Sequence, residues 1–247
     1  MKTQMKMNYK ALSKKEAEID IEGEITSQIW DDSDTSASQF RDLLKQVGDV
    51  KTINLHINSP GGDVFEGVSI YNMLKQSKAD IHVYIDGLAA SIASVIAMAG
   101  DTITMPENSM LMIHNPWTIA QGNSKELRKV ADDMDKMGES IKTSYLSKSN
   151  DKLDADTLTQ LMDEETWLTA KESAEYGLAD EVLEPVKMAA CLTEEQAKSF
   201  KHTPKSLVTA HPVNEQKAES KQEEEWRRQL RLSAQESLNY LNDRFLF

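Results

Sequence analysis

The chain has 247 residues, 39% hydrophobic and 28% charged, with a formal net charge of −13. That length and balance suit one folded domain with an appendage and exclude a disordered chain. The acid excess argues against sequence-independent nucleic-acid binding, which needs clustered Lys and Arg, and a lone cysteine, Cys191, excludes an intrachain disulfide and a cysteine-based zinc site.

The opening residues, MKTQMKMNYKALSKKEAEIDIEG, hold no apolar core of signal-peptide length. The longest apolar run, Ala89 to Gly100, is broken by two serines and is too short to span a bilayer. A cytosolic protein without a membrane partner is expected. Glu18–Ile25 alternates charged and apolar residues and predicts a half-buried strand. Ser36–Val47 carries Phe40, Leu43, Leu44 and Val47 at helical spacing, with Asp34, Thr35 or Ser36 as cap. Thr52–Asn58 alternates again and runs into Ser59-Pro-Gly-Gly62. A helix over Val64–Gln76 and a strand over Asp80–Asp86 follow, then the small-residue stretch GLAASIASVIAMAG. Thr102–Met105 and Met110–His114 predict short strands. Strands alternating with helices through the first 115 residues predict an α/β domain with right-handed crossovers.

From Ser124 a long helix is expected, with Leu127, Val130, Met134, Met137, Ile141 and Tyr145 on one stripe, Ser124 as cap and Gly138 as a weak point. The stripe suits either a core-facing helix or one packed between subunits. Helices over Asp156–Met162 and Ala170–Tyr176, the latter closed by Gly177, lead to a last strand over Leu178–Leu183. Beyond Pro185 the composition changes: residues 188–247 hold nine basic and nine acidic residues, so the net charge resides upstream. The expected organisation is an N-terminal segment (1–17), a main domain (18–187), a linker (188–214) and a helical interaction segment (215–247) with an apolar stripe from Trp226 to Phe245.

The chemistry concentrates at three places. Proline and paired glycines after a strand, Ser59-Pro-Gly-Gly62, predict a tight turn whose backbone can approach a ligand, although most such turns are only turns. Ser91 follows a strand and opens a helix of small residues, with Ala89 and Ala90 leaving room beside it. A nucleophilic serine needs that exposure, a base within reach and backbone donors for an oxyanion; a helix cap needs only the position. Ser94, one turn on, is expected to face inward. Of the histidines, His56 and His82 sit mid-strand and His202 and His211 lie in the loose tail. His114 ends an apolar strand, 23 residues beyond Ser91, and suits either a general base or a satisfied structural histidine.

INSPGG, GLAAS with its Ala-rich helix, MLMIHNP and LTAKESAEYGLADEV stand in an order and spacing that resemble the proteolytic subunits of the Clp protease family over residues 18–185. They are most similar to the members carried by tailed bacteriophages and prophages, which mature the capsid head. The resemblance implies an α/β, ClpP/crotonase-like fold of repeated ββα units with a protruding handle helix, here with a C-terminal helical extension. It implies Ser91 as nucleophile, His114 as general base, the Gly62 and Ile92 N–H groups as oxyanion hole, and Pro60, Gly61, Gly62, Asp63 and Val64 as the strip along an extended substrate. The third triad position falls on Glu165, where the family has Asp, with Asp163 as the alternative. No metal or cofactor is implied. Implied partners are a polypeptide substrate, capsid or scaffold protein, and a homo-oligomeric ring, a heptamer or stacked heptamers, in the bacterial host cytoplasm or inside a prohead. Residues 1–17 do not resemble the family's ATPase-docking segment. Two other readings stay open: a housekeeping degradation subunit working with an ATPase, and a non-catalytic ring-forming assembly protein. The tail is expected to bind scaffold or capsid protein, or to be removed by self-cleavage.

Overall fold

A computed structural model describes residues 9–13, 15–29, 31, 33–185 and 192–208, all within one compact unit. The first three parallel strands stack in chain order, and each of the two crossovers between them is a helix that buries one face. β2 (Glu16–Ile25), β3 (Thr52–Gly62) and β4 (Asp80–Ala90) pair in parallel, with β1 (Tyr9–Ser13) antiparallel on the outer edge of β2. α1 (Ala37–Val47) joins β2 to β3 and buries Phe40 and Leu43; Ser36 caps it in a capping box with Gln39. α2 (Val64–Lys75) joins β3 to β4 and starts on Asp63, whose side chain accepts from the Phe65 and Glu66 N–H groups.

β4 is long enough to serve two neighbours. Its first half pairs with β5 (Thr102–Pro106), and its second half pairs with β6 (Met110–Ile113), both in parallel. β8 (Glu181–Leu183) continues the sheet beyond β5, and β7 (Thr166–Thr169) lies antiparallel to β6. The main core is a hydrophobic cluster running from Ile19 and Leu55 to Leu158 and Leu178, and a smaller second cluster gathers Leu88, Ala90 and Met112 with Leu192 and Leu207. These elements are the mixed α/β architecture expected of the ClpP/crotonase-like fold.

α3 (Ile92–Ala97) is short and wholly buried. α4 (Ser124–Ser149) is the long helix, but Asn123, not Ser124, caps it, in a box with Glu126. Only its second half holds buried residues, Gly138, Ile141, Ser144, Tyr145 and Ser149; Leu127 in the first half is 42% exposed. α5 (Ala155–Asp163) and α6 (Ala170–Glu175) fall where expected, and Gly177 takes the left-handed conformation after α6 (φ 74°).

Three features depart from the one-dimensional reading. Ser59-Pro-Gly-Gly62 is no turn: it remains in β3, with Gly61 and Gly62 opposite Glu24 and Ile25 across a register shift. β1 and β7 are additional strands. Part of the expected linker is ordered: α7 (Glu194–Ala197) and a 3₁₀ turn (Lys205–Leu207) hold residues 192–208, with Leu192 and Leu207 buried against Leu88, Ala90 and Met112. The helix expected over 215–247 lies outside the described residues. Among the described residues, no helix is long and apolar enough to cross a membrane.

Candidate active site

Strand register brings three distant side chains together. Ala90 of β4 pairs with Met112 of β6, and Ile113 of β6 pairs with Thr166 of β7. Residues 91, 114 and 165 each stand one position beyond one of these partners. The Ser91 N–H donates to the Met112 carbonyl at 3.0 Å, which extends the pairing into the turn.

Ser91 is held in a backbone conformation that L-residues rarely adopt, φ 53° and ψ −127°. Such a conformation costs on the order of 1–3 kcal/mol and persists where the surroundings over-determine it. Here β4 runs directly into buried α3, and the chain must reverse within one residue. The strained junction turns the hydroxyl away from the core, as a nucleophile elbow does. Ser91 Oγ lies 2.7 Å from His114 Nε2. Ser94, completely buried, donates to the Ser91 carbonyl at 2.5 Å and so braces the strained residue from below.

Burial pushes the His114 imidazole below its ordinary pKa, helped by the Lys201 ammonium and opposed by the Glu165 carboxylate. The ring is therefore biased toward its neutral form, the one that can accept a proton.

Glu165 is 8% exposed and occupies the left-handed position after α5, at φ 52°. Glycine commonly takes that position; a glutamate there carries its carboxylate back under the sheet end. Its Oε1 accepts from the Lys201 N–H at 2.7 Å and the His202 N–H at 2.9 Å. Its charge acts on His114, and no hydrogen bond joins the two. Asp163, by contrast, is exposed and accepts from the Asn115 side chain at 2.6 Å.

The glycines after Pro60 form the opposite wall. A Cβ on Gly61 would stand 2.6 Å from the Ala90 carbonyl oxygen and 2.7 Å from Ser91 Cβ, and one on Gly62 would stand 2.1 Å from the Ile25 carbonyl oxygen. Both have positive φ, 93° and 147°. Only glycine lets this backbone press against the serine. A cleft of about 730 Å³ opens between Pro60–Val64, Ser91, His114 and Trp117, with Thr193, Ser199 and Phe200 on its far side. Ile92, whose N–H is the other expected oxyanion donor, is buried directly after the serine. Among the described residues, no cluster of His, Cys, Asp and Glu is arranged to hold a metal ion.

Of the remaining histidines, His56 and His82 stand mid-strand as expected, His202 is ordered where a loose tail was expected, and His211 lies outside the described residues. His56 stacks on Tyr84 with ring centres 4.9 Å apart and pairs with Asp86 at 2.9 Å on the sheet surface. His202 contributes its backbone. The sequence reading missed Phe200, Lys201 and His202, because nothing in the local pattern of a polar, proline-bearing tail points back to β6.

The Clp protease family model matches residues 2–186. An ATP-dependent Clp protease proteolytic subunit of Bacteroides fragilis (strain ATCC 25285) is 36% identical over 146 residues, covering 57% of this chain and 68% of that protein. The subunit of Bacteroides fragilis strain YCH46 is 36% identical over 146 residues and that of Bacteroides thetaiotaomicron 36% over 143, each with 64% of its length covered. The chain thus spans about two thirds of the length of these relatives.

Proposed function

The chain belongs to the Clp protease family, and from that premise we propose that it is a serine endopeptidase that cleaves peptide bonds through an acyl-enzyme on Ser91. The observation that carries this reading is the 2.7 Å approach of Ser91 Oγ to His114 Nε2 beside the Gly61–Gly62 backbone. His114 takes the Ser91 proton as Oγ attacks the scissile carbonyl. The Gly62 and Ile92 N–H groups receive the oxyanion. Collapse of the tetrahedral intermediate breaks the C–N bond, and His114 returns the proton to the leaving amine. Water, deprotonated by the same imidazole, then hydrolyses the ester. The Glu165 carboxylate, acting on His114 through its charge, stabilises the cationic imidazole. Pro60–Val64 line the cleft along the substrate.

The substrate is a capsid or scaffold protein in phage head maturation, and the protein acts as a homo-oligomeric ring in the bacterial cytoplasm or a prohead. The head-maturation role is supported by the resemblance of the four motif blocks to phage-borne members. Ring assembly is supported by the front half of α4, which holds no buried residue and exposes Leu127.

A fluorophosphonate probe tests the reading directly. It labels the unaltered protein, and Ser91→Ala abolishes both labelling and peptide hydrolysis while the protein stays folded. Undiminished hydrolysis by that variant removes Ser91 from the reaction.

A further inference from the structure

The family match stops at residue 186, yet the walls of the cleft do not. Leu192 and Leu207 are buried on Leu88, Ala90 and Met112, the strand ends that carry Ser91 and His114. A bridge between Leu192 and Val208 closes the intervening residues into a loop. Its tip presents Phe200, whose ring centre is 6.1 Å from that of His114 and 5.4 Å from that of Trp167, perpendicular to the latter. The next two backbone N–H groups, of Lys201 and His202, are the ones that hold Glu165.

We propose that residues 192–208 are a working part of the active site, with Phe200 and the Lys201 and His202 amides as positioning groups for His114 and Glu165. The proposal rests on the peptidase reading above. A buried carboxylate needs donors, and charge-assisted N–H bonds are the strong kind. Both fall on Oε1, so the amides set the carboxylate's place while Oε2 stays available to an imidazole that becomes cationic. Phe200 meanwhile covers His114 and keeps water from its side of the ring. The segment borders the cleft without filling it, since about 730 Å³ remains against Ser91 and the glycines. That geometry is a wall, not a plug.

The charged groups acting on His114 are Glu165 and Lys201, and the cleft also carries Glu24, Asp63 and Glu195. Of the influences on the imidazole, burial is the largest and holds its pKa down, so loss of the cover moves the acid limb of activity to higher pH.

The test uses the full chain with Phe200→Ala, Phe200→Leu and Lys201→Pro, the last removing one amide donor. Rates of fluorophosphonate labelling and kcat and KM for a fluorogenic peptide are measured across pH, with thermal unfolding of each variant. Phe200→Ala and Lys201→Pro are expected to lose kcat by on the order of 10- to 100-fold, as misplacement of a reacting group does, with KM little changed. Phe200→Ala also raises the acid limb, and Phe200→Leu, which keeps an apolar cover, recovers most of both. If Lys201→Pro does not fold, the two Phe200 variants decide. Unaltered kcat and pH profile in Phe200→Ala overturn the proposal, as does faster labelling, which would make the segment a lid. No labelling of Ser91 in the unaltered protein overturns the peptidase reading, and the proposal falls with it.

Discussion

Ser94 Oγ lies 2.6 Å from the Tyr145 phenol oxygen, and both side chains are buried. Because the Ser94 hydroxyl donates to the Ser91 carbonyl, the phenol is the donor to Ser94. A three-residue chain of hydrogen bonds thus ties the long helix α4 to the strained turn at Ser91. Burial raises the Tyr145 phenol far above its ordinary pKa, so it stays protonated and can donate.

Ser94→Ala is expected to destabilise the protein by about 1–3 kcal/mol, because it leaves a buried phenol without its acceptor. Tyr145→Phe removes the donor. In the double variant the two losses fall short of adding, since they report one interaction. Denaturant unfolding of the four proteins measures the cycle; strict additivity would show that the two groups act separately.

Glu165 and Asp163 are separable by isosteric substitution. Glu165→Gln is expected to lower kcat by roughly 10²- to 10⁴-fold, the range for losing the charge behind a catalytic imidazole. Asp163→Asn changes kcat little, because Asp163 is exposed and occupied by Asn115. Peptide hydrolysis kinetics check both, and the opposite ranking would move the orienting role to Asp163.

The acid limb of kcat/KM is expected below the ordinary histidine pKa of about 6.5, because burial favours the neutral imidazole of the free enzyme. Activity therefore falls only as pH drops through that lowered value. A pH–rate profile of the unaltered protein measures it, and a limb above the ordinary value would place His114 in a wetter setting.

His56 behaves in the opposite sense. Its hydrogen bond to Asp86 raises its pKa, so the pair's stabilisation is complete below about pH 6.5 and is lost as pH rises through the elevated folded-state value. Asp86 is 52% exposed, which limits the effect to under about 1 kcal/mol. Asp86→Asn removes it. Unfolding midpoints at low and high pH should converge in that variant, and an equal loss at both would show that the residue acts by packing.

Local patterns carried much of the architecture. The alternation in Glu18–Ile25 and the four-residue spacing in Ser36–Val47 report one-sided burial, and β2 and α1 bury those faces. Thr166–Thr169 was not legible as a strand because it is short and its partner, β6, lies more than fifty residues away in the chain. Ser59-Pro-Gly-Gly62 read as a turn because its composition is that of turns, whereas pairing with Glu24 and Ile25 keeps it extended.

The resemblance of the motif blocks to the Clp protease family nominated Ser91 and His114, and Glu165 with Asp163 as the alternative, because the order and spacing of the blocks are one-dimensional facts. Only the folded chain decided that Ser91 meets His114 at hydrogen-bonding distance, that Glu165 and not Asp163 is the buried carboxylate, and that a tail segment reaches both. Periodicity reflects each element's own burial, whereas the registers of β4 on β6 and β6 on β7, and the docking of Leu192 and Leu207, arise from contacts between distant residues. No local window of sequence contains both sides of such a contact.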